Sequence, residues 1–123
     1  MAMNIEIHNE TIRISGISEL MAGNASVFRD RVRASFTDSQ KNVEIDLSGT
    51  TFVDSCGLGA LIAVHKTASS RKGVVRLINP TPSMERILEM TRLHRVFQIV
   101  RTEELDRSEE RERKRHSQGL AFT

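Results

Sequence analysis

The chain has no tryptophan, no tyrosine and only five phenylalanines in 123 residues. A core built from it is therefore aliphatic. Its surface also lacks the aromatic platforms on which single-stranded nucleic acids stack their bases. One cysteine, Cys56, excludes an internal disulfide framework and a cysteine-based zinc site, and it fits a reducing, cytoplasmic setting. Neither sign of charge dominates: 18 Lys plus Arg stand against 16 Asp plus Glu. Residues 101–123 hold six of each sign, leaving 12 against 10 in the body. No strong field for nucleic acid or anionic membrane follows. No apolar run approaches the ~18 residues of a membrane helix. The first ten residues lack the basic and apolar regions of a secretory leader. There is no internal repeat and no Pro- or Gly-rich linker. What remains is material for one domain with one modest core, 38% of the residues being hydrophobic.

Periodicity organises that material. Residues 4–8 and 11–15 alternate polar and apolar side chains around Asn9-Glu10, the pattern of two half-buried strands in a hairpin. Gly16 ends the second. Ser18 is placed as the N-cap of a helix whose apolar stripe is Met21, Ala25, Phe28, Val32 and Phe36. Residues 43–47 form a strand with Val43, Ile45 and Leu47 on one face and Glu44 and Asp46 on the other. Leu58 and residues 60–64 leave the next helix almost no polar face, and Gly73 serves as its stop. Residues 74–78 are a strand. Thr81 caps a short helix with Pro82 in its first position, and Met84, Ile87, Leu88 and Thr91 mark its buried side. Residues 96–100 are the last strand.

The order β-β-α-β-α-β-α-β contains three crossovers. It predicts an α/β fold: a mostly parallel sheet of about five strands, the first strand antiparallel to the second, with crossover helices. One domain over residues 1–100 and a charged tail over 101–123 complete the expected organisation. Between Thr102 and Gln118 only Leu105 is clearly apolar, so the tail reads as a marginal helix or a disordered segment.

The densest chemistry lies in Asp54-Ser55-Cys56-Gly57-Leu58-Gly59, between the third strand and the apolar helix. Ser55 stands at the helix start, where serine is a favoured N-cap and free N–H groups attract anions. A phosphate added there places about −1.5 to −2 charges on one surface point. The bland role for Ser55 is the cap alone. For Asp54, one carboxylate is weak evidence for an acid catalyst or a magnesium ligand, and turn formation is the bland role. Cys56 lacks the base that a nucleophile needs. His65 sits nine residues further along the helix, about 13 Å by helical rise, so a small, partly buried thiol is the expectation. Gly57 and Gly59 match neither the dinucleotide nor the Walker pattern and suit close backbone approach. The four histidines have no metal-ligand spacing. Arg86, Arg92 and Arg95 read as a solvated helical face.

These residues also resemble the signature of STAS-domain proteins, specifically the bacterial anti-sigma factor antagonists. That signature is a strand ending Asp-Leu-Ser, an apolar pair, Asp-Ser-(Ser/Thr)-Gly-Leu-Gly and an apolar helix. Here it is Asp46-Leu47-Ser48, Phe52-Val53 and Asp54 through Gly59. A weaker likeness covers about residues 4–100. Cys56 occupies the second Ser/Thr position, and Glu19 stands in for an acid that follows the second strand.

The resemblance implies a binding module and not an enzyme, with no cofactor of its own. Ser55 is implied as the phosphorylated residue. The implied partner surface is Glu19, Asp54, Ser55, Cys56, Gly57, Leu58 and Gly59. The unmodified protein is expected to bind an anti-sigma factor that is also a serine kinase, freeing a sigma factor. Phosphorylation of Ser55 breaks the complex and a serine phosphatase resets it. ATP and metal belong to those partners. The alternative within the fold is an unphosphorylated STAS subunit of a stress-signalling scaffold or a lipid-transport ATPase. The alternative outside it is a small hydrolase using Ser55 or Cys56.

Overall fold

A computed structural model describes residues 2–102. The expectation for the tail lies outside the described residues, save Arg101 and Thr102.

Alternation sets the sheet. Strands β1 (Asn4–His8), β2 (Thr11–Ser15), β4 (Asn42–Asp46), β6 (Val75–Ile78) and β7 (Gln98–Val100) lie in the spatial order β1-β2-β4-β6-β7. β1 is antiparallel to β2 and the other neighbours are parallel. This is the predicted α/β architecture. Ile12, Ile14, Val43, Ile45, Val75 and Leu77 all turn to one face and are buried. Helices α1 (Ala25–Ser35), α2 (Ser55–Ser70) and α3 (Pro82–Met90) supply Phe28, Val32, Leu61, Val64, Met84 and Leu88 to the same core.

The other face carries a row of polar residues in register: Glu6, Arg13, Glu44, Arg76 and Gln98. Arg13 meets Glu44 at 3.4 Å, Arg76 meets Glu44 at 3.7 Å, and Arg76 donates to Gln98 at 3.1 Å. Partly exposed pairs of this kind are screened and add little stability.

Several local expectations are corrected. Ser18 does not cap a helix. Glu19 and Leu20 form a short strand β3 that pairs in parallel with β5 (Phe52–Val53). α1 starts only at Ala25, because Asn24 turns the chain: its Oδ1 accepts the Met21 N–H and its amide donates to the Glu19 carbonyl. Met21 therefore precedes the helix. Gly73 is not a left-handed stop. Lys72 takes the positive φ of 62°, and Gly73 is required for space, since a β-carbon there would lie 1.7 Å from the Lys41 carbonyl oxygen. The last strand begins at Gln98 because Leu93–Arg95 form a 3-10 turn before it. The cap on α3 is as predicted: Thr81 Oγ1 accepts the Met84 N–H at 3.3 Å, with Pro82 following.

Candidate functional site

Each crossover delivers its loop to the carboxyl edge of the parallel strands, where functional loops collect in such sheets. There the segment after β4 is pinned from inside. Thr50, 1% exposed, donates its hydroxyl to the Ile17 carbonyl at 2.7 Å. Thr51 donates its N–H to the Ser18 carbonyl at 2.9 Å. β5 then pairs with β3, placing Glu19 beside Phe52 and Leu20 beside Val53. This small sheet carries the chain to the start of α2.

The cap of α2 is Asp54, not Ser55. One Asp54 carboxylate oxygen accepts the Gly57 N–H at 2.9 Å and the other accepts the Ala22 N–H at 2.9 Å. A carboxylate has two acceptor oxygens and a serine hydroxyl has one, so Asp54 closes the helix and holds the β3–α1 loop at once. The Gly57 N–H, followed by that of Ala22, holds the Asp54 carboxyl below its ordinary value of 3.8. Hydrogen bonds to the charged form are the cause.

Ser55 is thereby displaced to the first helical position. It is exposed, and its hydroxyl has no hydrogen-bond partner among the described residues. Cys56 is exposed as well, against the expectation of a partly buried thiol, because the second helical position also faces outward. The two glycines differ. A β-carbon at Gly57 would lie 2.1 Å from the Leu20 carbonyl oxygen, so only glycine lets α2 seat against β3. At Gly59 a β-carbon would meet nothing within 4 Å, so close approach is not its role. Gly59 leaves a low spot on the exposed side of the helix, one turn beyond Ser55. Leu58 is half-buried and packs on the core.

The structure thus brings Glu19 and Asp54 through Gly59 onto one edge, tied by the β3–β5 pair and the Ala22–Asp54 bond. It adds a residue that sequence reasoning missed. Phe52, one of the apolar pair in the signature, is 53% exposed. In a two-residue strand only one side chain can turn inward, and Val53 takes that place. A groove of about 250 Å³ runs from Thr50 through Val53 to Thr81, Ser83, Met84 and Ile87 on α3. The contribution of Ala22 is a backbone N–H, which no side-chain pattern announces.

Chemistry at this edge is limited. The His65 ring packs edge-on against Phe97, centroids 5.7 Å apart, and so is not aimed at Cys56. Among the described residues no three His, Cys, Asp or Glu side chains come together as a metal-binding set. No helix among them is long and apolar enough to cross a membrane. The arrangement presents a hydroxyl, a thiol, an aromatic ring and a carboxylate on a rigid surface.

Comparison with known proteins agrees with this architecture. The family model for the STAS domain matches residues 2–105. The Thermotoga maritima protein named "Putative anti-sigma factor antagonist" is 30% identical over 98 residues, 79% of this chain and 87% of that protein. A crystal structure of a Thermotoga maritima protein of the same description superposes with a TM-score of 0.73 at 28% identity, covering 79% of this chain and 84% of that one. The Bacillus cell fate determinant SpoIIAA in its phosphorylated form shares the fold, with a TM-score of 0.67 at 23% identity over 87% of this chain and 99% of its own. With its sheet order, its Asp-capped helix and these relatives in view, the chain belongs to the STAS domain family.

Proposed function

We propose that this protein is an anti-sigma factor antagonist switched at Ser55. One observation carries the reading: the Ser55 hydroxyl is exposed at the head of α2 and is not used by the fold, since Asp54 does the capping. A group held this way is accessible to a kinase, and its modification alters the surface without opening the helix. The naming of the Thermotoga maritima relative and the existence of a phosphorylated SpoIIAA support the same reading.

In this reading the unmodified edge docks on a cytoplasmic anti-sigma factor with serine kinase activity. Glu19, Asp54, Ser55, Cys56, Leu58 and Gly59 form the contact, and buried Gly57 acts by seating the helix. The Ser55 oxygen attacks the terminal phosphorus of ATP held by the kinase. An O–P bond forms, ADP leaves, and the hydroxyl proton passes to a base of the kinase. The dianion that results is desolvated against the partner, and the complex separates. A serine phosphatase hydrolyses the ester and restores the hydroxyl.

The test is intact-mass measurement and phosphopeptide mapping of the protein purified from its own host, beside the Ser55→Ala variant. The expected result is one phosphate on the peptide containing Ser55 and none on the variant. Full phosphorylation of the variant would remove the assignment. Partner capture without phosphate under any growth condition would point to an unphosphorylated scaffold subunit.

A further inference from the structure

We propose that a second copy of this chain docks on the free edge of β1, joining two sheets into one of twice the width. The inference is independent of Ser55. Among the described residues β1 is the outermost strand of the five-stranded sheet, and its ladder with β2 runs unbroken over all five residues, from Asn4↔Ser15 to His8↔Thr11. A hairpin with a two-residue loop closes on a hydrogen-bonded pair, and such pairs alternate along the ladder. His8, Glu6 and Asn4 therefore spend their backbone groups on β2. The N–H and C=O groups of Ile5 and Ile7 point to the open side.

Natural sheets blunt such edges with proline, lysine, a bulge or a very short strand. β1 has no proline, lysine or bulge and runs five residues with Glu6 as its one acidic side chain, whereas β7 at the other edge is only three residues long. Ile7 is also 51% exposed on the helix side of the sheet, where its neighbour across β2 is fully buried Ile12.

Side-chain chemistry selects the register. Antiparallel pairing centred on Glu6 would set two carboxylates face to face, which is unfavourable. Pairing centred on Ile7 sets Ile7 against its own copy. It also sets Glu6 opposite the His8 of the second copy, twice over. Glu6 and His8 already lie within 3.1 Å of each other in one chain, so both are placed on the outer face to make that exchange. The exposed isoleucine, the unspent backbone groups and the Glu–His complementarity coincide only in this register.

Sedimentation equilibrium of the 123-residue chain from micromolar to millimolar concentration tests the proposal. The expected result is a mass approaching twice that of one chain, with Ile7→Lys raising the dimer dissociation constant by at least about 100-fold. Residues opposed in a hydrogen-bonded pair have Cα atoms about 5.5 Å apart, within disulfide range. In a Cys56→Ser background, Ile7→Cys should therefore oxidise to a covalent dimer while Ile5→Cys, opposite Asn9 of the second copy, should not. Should Ile7→Lys fail to fold, the cysteine pair decides. A monomer at millimolar concentration, an unaltered dimer in folded Ile7→Lys, or cross-linking at position 5 in place of 7 overturns the proposal.

Discussion

The two ends of the sheet use similar devices for opposite purposes. At the amino edge, Arg71 donates to the Thr37 carbonyl and, at 3.1 Å, to the Gln40 carbonyl, while its guanidinium lies over the Phe36 ring. Gln40 is buried, accepts the Thr37 N–H at 2.9 Å, and reaches toward the Asn9 carbonyl. Gly73 closes this end by allowing the chain to touch Lys41. Here polar groups turn inward onto backbone carbonyls. At the carboxyl edge Gly57 performs the same close approach against Leu20, and Thr50 the same inward tie. Yet the residues alongside, Phe52, Ser55, Cys56 and Gly59, face out. An aromatic side chain and a hydroxyl left without internal work set the proposed functional end apart more sharply than any glycine does.

That contrast can be broken or sharpened by substitution. The largest effect is expected in binding at the carboxyl edge. Ser55→Asp puts a fixed charge into the proposed interface, where an unpaired buried charge costs about 3–5 kcal/mol, or roughly two to four decades in affinity. Calorimetry with the anti-sigma partner should show that loss while circular dichroism stays unchanged. An unaltered dissociation constant would move the switch surface elsewhere. Gly59→Arg should behave alike, folding normally and losing the partner.

Next comes the closed end. Gly73→Ala drives a methyl group into the Lys41 carbonyl, an overlap worth about 3 kcal/mol, or a Tm lower by about 15 °C. Gly57→Ala should be destabilising in the same way. If thermal melts show either variant at wild-type stability, the close approaches are not what fixes these two helix ends.

A smaller effect belongs to Asp54. Its folded carboxyl titrates below the ordinary value, so the stability it contributes is present above that value and is lost as pH falls through the folded one. Asp54→Asn keeps one acceptor oxygen but turns an amide donor toward another N–H. Its Tm should be lower than wild type at neutral pH, and the gap should narrow under acid. A gap that stays constant with pH would mean that charge plays no part in the cap. The smallest effect should be a gain. Gly59→Ala fills open space within a helix and should raise stability by about 0.5–1 kcal/mol in denaturant unfolding.

The strands were legible because their alternation reports which face is buried, and Ile12, Ile14, Val43 and Ile45 sit where that pattern puts them. Pro82 and Thr81 were legible because their roles are local. The start of α1 was not. Ser18 and Asn24 are both competent turn residues, and the choice between them depends on Leu20 finding Val53 thirty-three residues later. Asp54 and Ser55 posed the same ambiguity one residue apart, and it was settled by the Ala22 N–H, a backbone group with no sequence signature. Cys56 was misread because thiols are usually buried, and the exposure of Phe52 has no signal in its residue type. At an element end, position along the turn outweighs residue type.

The division between Asp54 and Ser55 has a consequence for how such a site can change over time. A residue that both caps a helix and receives a modification would be constrained by folding as well as by signalling, and each substitution would be judged twice. In the proposed switch those demands fall on neighbouring positions. The fold is answerable to residue 54, and residue 55 can be hydroxyl, ester, methyl or carboxylate with the same helix beneath it. Gain or loss of the proposed switch, and its retuning to a new partner, is then open to single substitutions that leave the scaffold intact.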